Sequence, residues 1–318
     1  MALPKLLQGL TLPVVAAPML ILSSPELVLA QCKAGIVGAF PALNARPAER
    51  LAEWLVEIRE ELARWRAAHP DAFVGPFAVN QIMHPSNKRL SADTRVCIDH
   101  KVQIWLTSLR APPREIIDEI HAYGGIVLHD VINYRHACKA LDAGVDGLVL
   151  VAAGAGGHAG SLSPFAIVGE LRRAFDGPLV LSGAIAHGGA ILAARAMGAD
   201  LAYMGTRFIA SLEANAAPAY KRMIIDAKAA DIVFTDAFTG VRGNYLRQSI
   251  VAAGLDPEAL AARVDAQLDF SGDDDPKAWR DIWGAGQGVG LIDDAPPVEQ
   301  IVAHLRREYD SALLSVAT

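Results

Sequence analysis

Apolar residues along this chain fall into short continuous runs, each followed by a polar or glycine-rich turn and then by a stretch with helical periodicity. The runs are Val14 to Met19, Ile36 to Phe40, Phe77 to Asn80, Val102 to Ser108, Ile126 to Val131, Gly147 to Ala152, Leu179 to Ala184 and Leu201 to Thr206. Apolar runs without alternation suit strands buried on both faces, as in a parallel sheet covered by helices. Eight units of one strand and one helix predict an α/β fold, a TIM (β/α)8 barrel.

The helices between carry their own signals. In the second, Leu51, Trp54, Leu55, Ile58, Leu62 and Trp65 recur at helical spacing and give one buried stripe. Ser24-Pro25-Glu26 opens the first helix, Pro112-Pro113 precedes the fourth, and Ala34-Gly35, Gly124-Gly125, Ala143-Gly144 and Met197-Gly198 supply stops. After the eighth strand the pattern loosens. Residues 212–295 read as a helical insertion in the last unit, and 297–314 as the final barrel helix, within a single domain spanning 1–318. An excursion on the C-terminal side of a barrel strand is where lids and substrate pockets are built.

Composition narrows the function. Hydrophobic residues make up 52% of the 318 and charged residues 20%, a globular balance. A net charge of -6 with no Lys/Arg cluster argues against nucleic acid. Cys32, Cys97 and Cys138 have no metal-type spacing and read as reduced thiols of a cytoplasmic protein, with no metal expected. The stretch Leu12 to Leu22 is broken by Pro13 and Pro18 and reads as a buried strand rather than a signal segment; no membrane association is expected.

In a barrel of this kind chemistry sits where the strands end. Those ends are small or polar: Ala17-Pro18-Met19, Asn80-Gln81, Thr107-Ser108, His129-Asp130, Ser182-Gly183-Ala184 and Gly205-Thr206-Arg207. Ser182-Gly183-Ala184 and Gly205-Thr206, on adjacent strands, match a phosphate site built from backbone N–H groups, although glycines alone also make tight turns. After the sixth strand comes Gly154-Ala-Gly-Gly-His158-Ala-Gly160. A histidine held among glycines can approach a flat ligand and exchange a proton near neutral pH, where an ordinary loop histidine would only hold a structural hydrogen bond.

The same run fits the G-x-G-x-x-[G/A] dinucleotide fingerprint, but Ser163-Pro164 delays the helix and the next strand ends in Ser182-Gly183 without an acidic residue. His129 is the second candidate, for the substrate pocket. Late in the chain, Trp283 and Gln287 stand among four glycines up to Gly290; this is either a surface loop or a wall for a flat ring.

Taken together, Ala17-Pro18-Met19, Phe77-Ala-Val-Asn80, Ala155-Gly-Gly-His158-Ala-Gly160, Leu181-Ser-Gly183-Ala-Ile185, Met204-Gly-Thr-Arg-Phe208 and Gly284-Ala-Gly-Gln-Gly-Val-Gly-Leu-Ile292 resemble the nitronate monooxygenase family. That family, formerly called 2-nitropropane dioxygenases, is related to the FMN-dependent enoyl-ACP reductases II. The resemblance implies a TIM barrel with non-covalent FMN, oxidising alkyl nitronates or nitroalkanes with O2 to carbonyl compounds and nitrite. An NAD(P)H-dependent reductase of an enoyl thioester or quinone is the alternative.

The family pattern carried onto this chain puts Ala17, Pro18, Met19 and Asn80 near the flavin ring and Gly156 and Gly157 beside the cofactor. Ser182, Gly183, Ala184, Gly205 and Thr206 would hold the phosphate, Gln287 and Gly288 would close over the ring, and His158 would be the catalytic base. Trp283 joins His129 in the expected substrate pocket. Departures are Gly154 where many relatives have Glu, Gly183-Ala184 for Gly-Gly, and His187 for Asp. Asp130 stands where some have Lys, and is counted here among the cofactor-binding residues. A homodimer is left open.

Overall fold

In the computed structural model, which describes residues 3–262 and 280–317, the eight apolar runs become the strands of one parallel sheet. They are β1 (Val14–Ala16), β2 (Gly38–Pro41), β3 (Phe77–Ile82), β4 (Ile104–Ser108), β5 (Ile126–Val131) and β6 (Gly147–Val151). A two-residue strand, β7 (Gly157–His158), lies outside that sheet, and β8 (Leu179–Ser182) and β9 (Leu201–Met204) complete it. Neighbours run β1-β9-β8-β6-β5-β4-β3-β2, and a parallel bridge between Val15 and Val37 closes the ring into a barrel.

Side-chain alternation sorts the strands into two cores. Val15, Ala39, Ala78, Leu106, Leu128, Val149, Val180 and Tyr203 fill the interior, which Leu7 and the chain around the 3-10 helix Lys5–Leu7 stop from one end. Val14, Phe40, Val79, Trp105, Val127, Leu150, Leu181 and Met204 face outward against the helices. Both sets are apolar, which is why the strands read as unbroken runs. Ser24 caps the first helix, Pro25–Lys33, and Gly144 and Gly198 end theirs in the left-handed conformation at φ 99° and 115°.

The segment after β9 holds helices, among them Pro218–Asp226 and Arg247–Ala252, and also an element outside the sequence expectation. β10 (Ile232–Thr235) and β11 (Gly243–Leu246) form an antiparallel hairpin whose inner strand pairs with β7, Gly243 opposite His158. The two strands lie where the regular succession of apolar run, turn and helix has loosened, so that pattern does not mark them. Residues 263–279 of the expected insertion lie outside the described residues. The last helix, Val298–Val316, packs on Gly188–Met197, where Glu308 accepts from the Gly188 N–H at 2.8 Å. Among the described residues no helix is long and apolar enough to cross a membrane.

Candidate active site

A cavity of about 490 Å3 lies at the C-terminal ends of the strands. Ala17, Pro18, Met19, Asn80, Asp130, Gly156, Gly157, Ser182, Gly183, Ala184, Gly205, Thr206 and Gly288 all line it, together with His158. The segment after β9 adds Tyr220, Val241, Gly284 and Gly286. Among the described lining residues there is no Lys or Arg, and among all described residues no cluster suited to a metal ion.

Two expected pocket residues stand elsewhere. Alternation along β5 sends Asp130 inward with Leu128, while His129 follows Val127 and Val131 toward the helices. There it is buried, with Nδ1 bonded to the Thr107 hydroxyl at 2.8 Å, and burial, with nearby His136, lowers its pKa to about 4. It is a neutral structural histidine. Trp283 does not line the cavity either; its ring stacks on Tyr220 at 4.7 Å and so braces a residue that does. Gln287 lies behind the lining, its N–H donating to the Gly154 carbonyl at 2.9 Å.

Gly154 shows why Glu does not occur here. Its φ is +83°, and a Cβ would stand 3.0 Å from Gln287 Oε1 and 3.2 Å from the Ala184 Cβ. Its carbonyl also accepts from Ala184 N at 3.2 Å, so one glycine joins the β6 turn, the β8 turn and the late loop. Thr206 Oγ1 accepts from Gly286 N at 2.9 Å and ties the β9 turn to the same loop.

His158 owes its position to the hairpin. β7 is held against β11, Asn244 Nδ2 donates to the Ala155 carbonyl at 2.6 Å, and His158 Nε2 lies 3.0 Å from Thr239 Oγ1 in the hairpin turn. The ring stands exposed on the cavity wall, and the protein packed around its base desolvates it enough to lower its pKa below the ordinary 6.5. A neutral imidazole facing a cavity is a competent base at neutral pH. Thr239, Asn244, Tyr220 and Val241 escaped sequence reasoning because nothing local links them to a histidine about sixty to ninety positions earlier.

The floor is polar. Asn80 Nδ2 donates to the Leu106 carbonyl at 3.1 Å and to Ser108 Oγ at 2.8 Å, which uses both amide hydrogens and leaves Oδ1, an acceptor, for a ligand. Ser108 Oγ in turn donates to Asp130 Oδ2 at 2.8 Å. Asp130 Oδ1 and the Tyr203 hydroxyl are buried with no hydrogen-bond partner among the described residues.

A ring with a phosphate tail fits these residues. Gly183, at φ +143°, could carry no Cβ without placing it 2.7 Å from the Ala153 carbonyl, and Ala184 follows at φ +54°. These turns bring main chain, not side chains, to the cavity edge, as phosphate binding without a cation requires. Gly183→Ala should cost about 2–3 kcal/mol from backbone strain and contact, and weaken flavin retention. A urea melt together with flavin release on dilution checks both.

The nitronate monooxygenase family model matches residues 4–308. A nitronate monooxygenase of Paraburkholderia phytofirmans is 27% identical, over 96% of this chain and 94% of that protein. One from Pseudomonas aeruginosa is also 27% identical, over 92% and 95%. Among solved structures, FabK from Thermotoga maritima matches with a TM-score of 0.78 and 26% identity over 98% of this chain and 97% of that one. Nitroalkane oxidase from Streptomyces ansochromogenes shares the fold, with a TM-score of 0.73 at 24% identity over 96% and 97%.

Proposed function

The chain belongs to the nitronate monooxygenase family of flavin-dependent oxidoreductases, and from that premise we propose that it is an FMN enzyme acting on small alkyl nitronates and nitroalkanes. With O2 it yields a carbonyl compound and nitrite. The observation that carries the reading is a histidine, His158, presented among glycines on the wall of a cavity with no Lys or Arg in its described lining.

His158 takes the proton from the carbon next to the nitro group, and the imidazolium formed is the counter-charge for the nitronate. Ile82, Leu109, Ile132 and Val241 give the cavity apolar walls on which the alkyl part of a small substrate would pack. Main chain at Gly183, Ala184, Gly205 and Thr206, with Ser182, would hold the phosphate, and Asn80 Oδ1 would accept from the ring's polar edge. Ala17 to Met19 and Gly156 would pack beside the ring, and Gly288, with Gln287 behind it, would close the late loop over it. The flavin, when bound, supplies electron transfer between substrate and O2.

A nitronate and NAD(P)H are the two candidate reductants of the flavin. Anaerobic stopped-flow distinguishes them. A nitronate is expected to bleach the flavin rapidly, and NADH and NADPH slowly or not at all. Rapid bleaching by either nucleotide with the nitronate inert would assign the chain to the reductase side of its relatives.

A further inference from the structure

Asp130 is used by nothing in the mechanism above, although its carboxyl lies at the cavity floor. On β5 it faces the barrel interior, with Val149 of β6 as its register partner. One oxygen takes a single hydrogen bond, from Ser108 on β4, whose hydroxyl is itself held by Asn80 of β3. The other is shut off from solvent without a partner, as is the phenol of Tyr203 on β9, which lies within electrostatic reach. The other titratable groups lining the cavity are His136, His158 and Tyr220. Among the described residues no Lys or Arg lines it, and none offsets the burial of the Asp130 carboxyl.

A carboxylate with one oxygen shut off from solvent and no counter-charge among the described lining residues favours the proton-bound form. The same surroundings make it sensitive to charge arriving from the cavity side. An anion above the floor repels an ionised carboxyl through a medium that screens poorly, and a proton from solvent relieves that repulsion.

We propose that Asp130 is a proton-holding residue of the cavity floor, and that it takes up one proton when the bound flavin ring gains negative charge on reduction. The balance is simple: two electrons and one proton enter the ring, leaving it with one negative charge, and one further solvent proton moves to Asp130, converting carboxylate to carboxylic acid. In line with this, burial already lifts its pKa from 3.8 to about 7. Asp130 is thus a positioning residue for charge, acting on the ring's potential rather than on the substrate carbon. The proposal rests on the flavin part of the reading above and is independent of which substrate reduces it.

The test is the midpoint potential of bound FMN, measured spectroelectrochemically across pH in the wild type and in Asp130→Asn, whose amide is isosteric and keeps a partner for Ser108. The two curves are expected to coincide on the acid side, where Asp130 is already neutral. Above the carboxyl's pKa the wild type should fall more steeply, by one extra proton per two electrons. Equal slopes throughout would overturn the proposal.

A second readout needs only the wild type: redox-difference infrared spectra should show a protonated carboxyl appearing on reduction at alkaline pH, and its absence is equally fatal. Flavin binding, followed first by fluorescence quenching, separates this outcome from failure of the flavin reading. If FMN does not bind, an Asp130 carboxyl carbon that titrates in the ordinary carboxylate range by NMR overturns the proposal on its own.

Discussion

His158→Asn should lower kcat/KM for a neutral nitroalkane by about 10²–10⁴-fold, the usual worth of a positioned general base, while activity on the preformed nitronate falls far less. Asparagine keeps a polar group near Thr239 but cannot take a proton, so the variant removes the deprotonation step and leaves the cavity. The pH profile gives the sign. The base is the neutral imidazole, and desolvation lowers its pKa from 6.5, so activity on the nitroalkane should be lost as pH falls through a value below 6.5. The nitronate, already ionised, should lack that limb. Equal losses on both substrates would remove His158 from the role of base and leave it a binding group.

The second large effect concerns stability, and it comes from two adjacent residues that face opposite sides of β5. Burial holds His129 neutral, with its pKa lowered from 6.5 to about 4. The unfolded chain therefore binds more protons than the folded one between those values. The associated stability, about 3 kcal/mol, is present above pH 6.5 and lost as pH falls toward 4. Asp130 has the reverse sign. Its pKa is raised from 3.8 to about 7, the folded chain holds the extra proton, and about 4 kcal/mol is lost as pH rises across that window.

In the wild type the two slopes oppose each other and nearly cancel through the acid range. Single variants should expose them. His129→Asn is expected to leave a protein whose stability falls as pH rises from about 4 to 7, and Asp130→Asn one whose stability rises from about 4 to 6.5. Urea midpoints across pH on flavin-free protein read both, since bound ligand would add its own linkage. If neither variant changes the slope, the two side chains titrate alike in the folded and unfolded states, and the burial argument fails for both.

The same pair shows what could be read from the chain alone. His129 and Asp130 end the same strand, and as residue types the histidine is the better candidate for chemistry. Only the inward or outward phase of β5 separates them, and an unbroken apolar run conceals that phase because both faces are buried. Trp283 was legible as an aromatic near the site, but its stack on Tyr220 depends on a helix some sixty positions away. Gly154 was legible only as a departure from its relatives; its positive φ and its contact with Gln287 give the reason.

The sequence by itself determined the eight strands, the helices between them, the glycine turns at the cavity edge and the histidine after the sixth strand. These follow from short-range causes: continuous hydrophobicity, caps, stops and the backbone freedom of glycine. Tertiary structure alone decided that the β10–β11 hairpin returns to hold His158 and that His129 turns its back on the cavity. It also left Asp130 at the floor with no cation among the described lining residues to meet it. Contacts of that kind depend on which distant surfaces meet when the barrel closes, and no periodicity along the chain records them.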